Sequence, residues 1–94
     1  MEYEHCTATR EGHLLIVTIN RPERMNALHP PANFELEKIF NDFAADSELW
    51  VAIVTGAGER AFSAGNDLRW QAEGNKMEVP ATGFAGLTAR FDLT

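Results

Sequence analysis

Apolar positions change their spacing several times along the chain, and each change marks an element. Leu14, Leu15, Ile16, Val17 and Ile19 form a nearly continuous apolar run, β-branched in its second half, which predicts a strand over residues 14–20. Residues 3–10 predict a weak edge strand before it, and Glu11, Gly12 and His13 a hairpin turn that pairs the two antiparallel. Pro22 stops a central strand from continuing, and Asn20 and Asn26 suit turn conformations, so residues 20–28 predict an ordered loop. The spacing then becomes helical. Pro30 and Pro31 fit a first helical turn, whose N–H groups have no partner in any case. Leu36, Ile39, Phe40 and Phe43 follow at i, i+3, i+4 and i+7, with Glu35, Glu37, Lys38 and Asp42 mostly opposite; Phe34 is expected in the same core. Asp46-Ser47 ends this helix. Residues 50–55, Trp-Val-Ala-Ile-Val-Thr, lack polar alternation, which predicts a strand buried on both faces with Trp50 packing at its entry. Strand, helix and strand over this length make a βαβ unit with a right-handed crossover, hence an α/β fold.

Beyond Thr55 the regular spacing dissolves. A glycine loop is followed by Ala64-Gly65-Asn66-Asp67-Leu68, small residues leading into a helix start. The composition of residues 70–82 predicts a mobile loop, in which Trp70 and Met77 are candidates to border a pocket. Residues 84–91 predict a short helix carrying Phe84, Leu87 and Phe91. A strand buried on both faces needs cover and neighbours that three strands and about two helices do not supply. The chain is therefore expected to be the N-terminal part of a larger fold, truncated, cut or complemented by a second, C-terminal chain.

Composition narrows the partners. With 94 residues the chain makes at most one domain, and 45% hydrophobic with 23% charged residues is ordinary for a globular protein. A net charge of −6 argues against a nucleic-acid partner, which needs clustered Lys and Arg. The single cysteine, Cys6, rules out an internal disulfide and suits a reducing compartment. The acidic N-terminus has no apolar segment of signal type, and no apolar run is long enough to span a bilayer, so no membrane partner and a cytoplasmic setting are expected.

Two chemical readings of residues 51–68 compete with a plain capped turn. Gly56, Gly58 and Ala61 match the dinucleotide pattern G-x-G-x-x-G/A after a strand, although Phe62 and Gly65 fall where a helix should already run. Alternatively, Ala64-Gly65 admits a ligand close to the backbone, and the Asn66 N–H at a helix start is a candidate donor to a developing oxyanion. The remaining candidates are weaker. His5, His13 and His29 show no metal-ligand spacing, so no metal is expected. Ser63 has no nucleophile context.

Two stretches carry a family resemblance. Residues 51–68, Val-Ala-Ile-Val-Thr-Gly-Ala-Gly-Glu-Arg-Ala-Phe-Ser-Ala-Gly-Asn-Asp-Leu, resemble the enoyl-CoA hydratase/isomerase (crotonase) superfamily, and residues 19–28 resemble its N-R-P-x-x-x-N-A-L loop. The motifs stand in the family's order with its helix between them. The resemblance spans residues 3 to about 94. It implies a crotonase-like ββα spiral, acyl-CoA thioester binding and enolate stabilisation by two backbone N–H groups. Asn66 matches the first; the second, in a glycine-rich segment, is expected beyond Thr94, as are the catalytic glutamates. Glu73 and Glu78 match neither. The resemblance further implies that Arg24, Ala27, Leu28, Ala64, Gly65, Asp67 and Leu68 bind CoA, with Arg24 toward phosphate. It implies no separate cofactor, coenzyme A being part of the substrate, and a homo-trimer or hexamer for the complete protein. The chain alone is expected to be inactive. A non-catalytic CoA-binding or assembly module, or a dinucleotide-binding segment, are the alternatives.

Overall fold

The computed structural model describes residues 3–76 and 78–92. Its order is β1 (Cys6–Glu11), β2 (Leu14–Ile19), a 3-10 turn at Pro22–Arg24, α1 (Pro30–Ala45), β3 (Val51–Gly56), α2 (Leu68–Ala72) and a second 3-10 turn at Phe84–Gly86. The sheet order is β1-β2-β3, antiparallel between the first pair and parallel between the second. The hairpin and the strand–helix–strand unit thus follow the apolar spacing.

Alternation along each strand sorts the sheet into two unlike faces. Cys6 and Ala8 stand opposite Ile19 and Val17, and Leu15 and Val17 opposite Ala52 and Val54. This face meets Leu36, Ile39 and Phe40 of α1, and together they form the core. Burial pushes the Cys6 thiol up to about 12, so it packs here as an unreactive small apolar group.

The other face carries Leu14, Ile16 and Thr18 opposite Val51, Ile53 and Thr55. Val51 and Ile53 are 50% and 45% exposed. The expectation of a strand buried on both faces is therefore corrected: among the described residues β3 is covered on one face only and pairs along one edge only. Its unbroken apolar sequence suits two covers, of which α1 is one. Trp50 is also exposed, stacked on His13 with ring centroids 3.6 Å apart instead of packing at the strand's entry. Phe34 is exposed as well, because its position points away from the sheet-facing stripe of α1.

Residues 80–92 cross α1, held by three polar side chains at i, i+4 and i+8. Asn33 Oδ1 accepts the Ala85 N–H (2.8 Å), Glu37 Oε2 accepts the Thr82 hydroxyl (3.0 Å), and Asn41 Oδ1 accepts from Arg90 (2.8 Å). The short helix expected over residues 84–91 is not formed. Ala85 lies at φ 59°, in the left-handed region, which breaks the helix after one 3-10 turn and leaves Phe91 94% exposed. Within the expected loop of residues 70–82, residues 70–72 instead complete α2, and Met77 lies outside the described residues.

Candidate active site

Two loops meet at the C-terminal ends of the parallel strands: residues 20–28 after β2 and residues 57–67 after β3. Asn26 joins them. Its Oδ1 accepts the Arg21 N–H (2.9 Å), and its Nδ2 donates to the carbonyls of Ala57 and Ala61 (both 2.9 Å). Its own carbonyl accepts the Ser63 hydroxyl (2.8 Å). Asn26 is buried and sits at φ 55°, a conformation Asn tolerates better than most residues. Gly56 is required where the loops close: a Cβ there would lie 2.2 Å from the Phe62 carbonyl oxygen and 2.7 Å from Asn26 Nδ2.

The second junction is a short parallel bridge between Leu28 and Asn66. Leu28 N–H donates to Gly65 O (2.7 Å), and Asp67 N–H donates to Leu28 O (2.9 Å). Ala64 N–H donates to Met25 O (3.0 Å) and Gly65 N–H to the Ser63 hydroxyl (3.2 Å). The amides of residues 64, 65 and 67 are thus all paired. The Asn66 N–H between them donates to no group among the described residues. A parallel bridge uses the groups on either side of Asn66 and turns its own amide to the opposite side. Gly65, at φ 85°, makes the turn that sets this up.

Asp67 fixes the site electrostatically. Only 2% exposed, it caps α2 by accepting the Trp70 N–H (3.0 Å), pairs with the buried Arg21 (3.0 Å) and meets Arg24 at 3.4 Å. Arg21 also donates to the Ala27 carbonyl. Burial alone would raise the Asp67 carboxyl, but the Trp70 amide and the two guanidinium groups outweigh it and hold it below the ordinary value. Nearby, His29 caps α1 by accepting the Ala32 N–H at Nδ1 (3.3 Å), so the proton of the neutral ring sits on Nε2. Burial, then the Arg21 charge and His5, lower it to about 4. Its ring lies edge-on to His5 and to Trp70.

An open groove of about 330 Å³ runs over this junction, bordered by Glu23, Arg24, Met25, Ala27, Ala64, Asn66, Asp67, Leu68 and Arg69. Most of the expected site residues therefore converge: Arg24, Ala27, Ala64, Asn66, Asp67 and Leu68 share one groove. Leu28 is 2% exposed and belongs to the core, meeting the site through its backbone. The Asp67 carboxylate faces its partners in the fold. Asn66 precedes the N-cap of α2 instead of lying in the helix's first turn. Motif reading passed over Arg21, Asn26 as a loop organiser, and Ser63 as a backbone brace, because their partners lie 31 to 46 residues away or on main-chain atoms. The Gly56-to-Ala61 turn leads into irregular chain, and no helix begins before Leu68, which removes the helix N-terminus that a dinucleotide phosphate needs. A separate apolar cavity of about 200 Å³, bordered by Tyr3, Leu15, Ile39 and Phe43, involves none of the expected site residues. Among the described residues no helix is long and apolar enough to cross a membrane.

Comparison with known proteins identifies the family and the fold. Residues 9–89 match the sequence profile of the enoyl-CoA hydratase/isomerase family. Carnitinyl-CoA dehydratase of Escherichia coli K12 is 46% identical over 92 residues, covering 96% of this chain and 35% of that protein. The Citrobacter koseri enzyme of the same name is 47% identical over 87 residues, covering 90% and 33%. Among solved structures, carnitinyl-CoA hydratase from Mycobacterium avium superposes with a TM-score of 0.82 at 30% identity, covering 90% of this chain and 34% of the other. Enoyl-CoA hydratase from Mycobacterium tuberculosis H37Rv gives 0.82 at 32%, covering 94% and 34%. The chain thus spans about a third of the length of the curated relatives it matches, and its fold is the corresponding part of the crotonase fold. The chain belongs to the enoyl-CoA hydratase/isomerase family.

Proposed function

We propose that this chain supplies the CoA-binding groove and one oxyanion donor, the Asn66 N–H, of an enzyme that adds water to or removes it from acyl-CoA thioesters through an enolate. One observation carries the reading. In a run where residues 64, 65 and 67 all bond their amides, Asn66 alone offers its N–H to a groove. Such a donor is worth most where its direction is fixed before the charge develops, and the Leu28 bridge and Asp67 fix it here. Arg24, 27% exposed and only loosely held by Asp67, is a cation of the groove wall for CoA phosphate. Ala27, Ala64, Gly65 and Leu68 leave room for the pantetheine arm, and Asp67 and Leu28 hold that wall in shape. The dehydratase names of the relatives favour loss of water from a 3-hydroxyacyl thioester over isomerisation.

The general acid and base and the second oxyanion donor are assigned to no residue of this chain, so the 94 residues alone give no measurable turnover. Lack of one oxyanion donor costs on the order of 10²–10³ in rate before the missing acid and base are counted. The test is a chimera in which this chain replaces the matching segment of E. coli carnitinyl-CoA dehydratase. The reading predicts dehydration of carnitinyl-CoA by the chimera and none by the chain alone. A chimera that folds and binds CoA but does not turn over favours the second reading, a CoA-binding or assembly module, to which the open face of β3 lends support.

A further inference from the structure

The Asn66 side chain is not needed for the oxyanion reading, which uses only its backbone. Among the described residues its carboxamide makes no hydrogen bond, and the residue is exposed in the groove. Two other uncharged polar side chains at this junction are occupied: Asn26 with Arg21, Ala57 and Ala61, and Ser63 with Asn26 and Gly65. Among the described residues that line the groove, Asn66 is the one neutral polar side chain, set between the apolar Met25, Ala27, Ala64 and Leu68.

Covalent geometry limits where this carboxamide acts. Its two polar atoms lie within about 5 Å of the amide nitrogen of the same residue. A thioester oxygen accepting that amide sits about 2.9 Å from the nitrogen. Atoms attached one or two carbons from the thioester carbonyl are then within hydrogen-bonding reach of the carboxamide. A plain alkyl chain offers it nothing, whereas a hydroxyl both donates and accepts, as the carboxamide does.

We propose that Asn66 is a specificity-determining residue, its side chain hydrogen-bonding a hydroxyl on the acyl group near the thioester and selecting 3-hydroxyacyl over unsubstituted acyl thioesters. This rests on the reading of the Asn66 N–H as oxyanion donor. It is separable from that reading, because Asn66→Ala keeps the backbone donor and removes only the carboxamide.

The experiment uses the chimera with carnitinyl-CoA as substrate, and 3-hydroxybutanoyl-CoA and butanoyl-CoA as competitors in initial-rate inhibition. Asn66→Ala is expected to weaken inhibition by 3-hydroxybutanoyl-CoA roughly 2- to 10-fold, the value of one hydrogen bond. Inhibition by butanoyl-CoA should stay within two-fold, and the thermal midpoint should not move, since the side chain has no partner among the described residues. Equal changes for both competitors, or no change in either, overturn the inference while an active chimera leaves the proposed function standing. A folded but inactive chimera overturns the proposed function and this inference with it. A second arm covers misfolding: in E. coli carnitinyl-CoA dehydratase itself, Asn and Ala are placed in turn at the position aligned with Asn66. The same difference between competitors is expected, and its absence counts against the proposal.

Discussion

The two ends of β3 obey different rules. At its C-terminal end, every buried polar group of the loop junction named above finds its partner inside residues 20–70: Asn26 with three main-chain groups, Arg21 with Asp67 and Ala27, Asp67 with the Trp70 amide. Along its body, Val51 and Ile53 face outward from a sheet in which β3 pairs along one edge only among the described residues. The site is locally closed and the core is locally open. Directional bonds between short loops can be completed within one segment, whereas apolar cover for a parallel sheet is a large-area requirement that a third of a fold meets on one side only.

This contrast is broken most sharply by removing the carboxylate at the closed end. Asp67→Ala leaves Arg21, 5% exposed, as an unpaired buried cation and uncaps α2, an expected loss of about 3–5 kcal/mol in urea unfolding of the chimera. A loss below 1 kcal/mol denies that the junction is held by this pair. Next comes Gly56→Ala, whose methyl group meets two carbonyl oxygens and the Asn26 amide; overpacking of about 2–3 kcal/mol is expected from the same unfolding midpoint, and a neutral result shows that the loops close less tightly.

The His29 effect is smaller and depends on pH. Its folded value of about 4 lies below the ordinary 6.5, so between these values the unfolded chain binds the proton that the folded chain refuses. Stability from neutral His29 is complete above about 6.5 and is lost as pH falls toward 4. His29→Asn keeps a capping acceptor and should flatten that slope in thermal melts at several pH values; an unchanged slope assigns it elsewhere. Smallest is Ile53→Thr on the open face, expected within about 0.5 kcal/mol in the 94-residue chain by itself. A loss above 1 kcal/mol in a thermal melt contradicts an uncovered face.

What was legible in the sequence divides along the same line. The hairpin, α1 and the strand character of β2 and β3 follow from apolar spacing, because each is specified by neighbours a few residues apart, and the helix between the two strands implies their parallel pairing. The convergence of residues 24–28 and 64–68 was visible only through motif resemblance. The bridge between Leu28 and Asn66, the bonds of Asn26 to Ala57 and Ala61, and the pairing of Asp67 with Arg21 and Arg24 join residues 31 to 46 apart, and nothing local announces them. Residues 84–91 misled for a related reason. Phe84, Leu87 and Phe91 have helical spacing, but the chain there is fixed by Asn33, Glu37 and Asn41 of α1, and Ala85 takes a left-handed conformation to meet them. Exposure of Val51 and Ile53 reverses an inference that was sound for a complete sheet.

The central claim concerns one amide hydrogen. In the chimera, residue 66 can be built by semisynthesis as lactic acid, which turns the peptide N–H into an ester oxygen, and compared with Asn66→Ala, which differs from it only in that group. A fall in kcat on the order of 10²–10³ with little change in KM is the predicted result. A fall of less than ten-fold, with the fold intact, would contradict the assignment of the Asn66 N–H as an oxyanion donor.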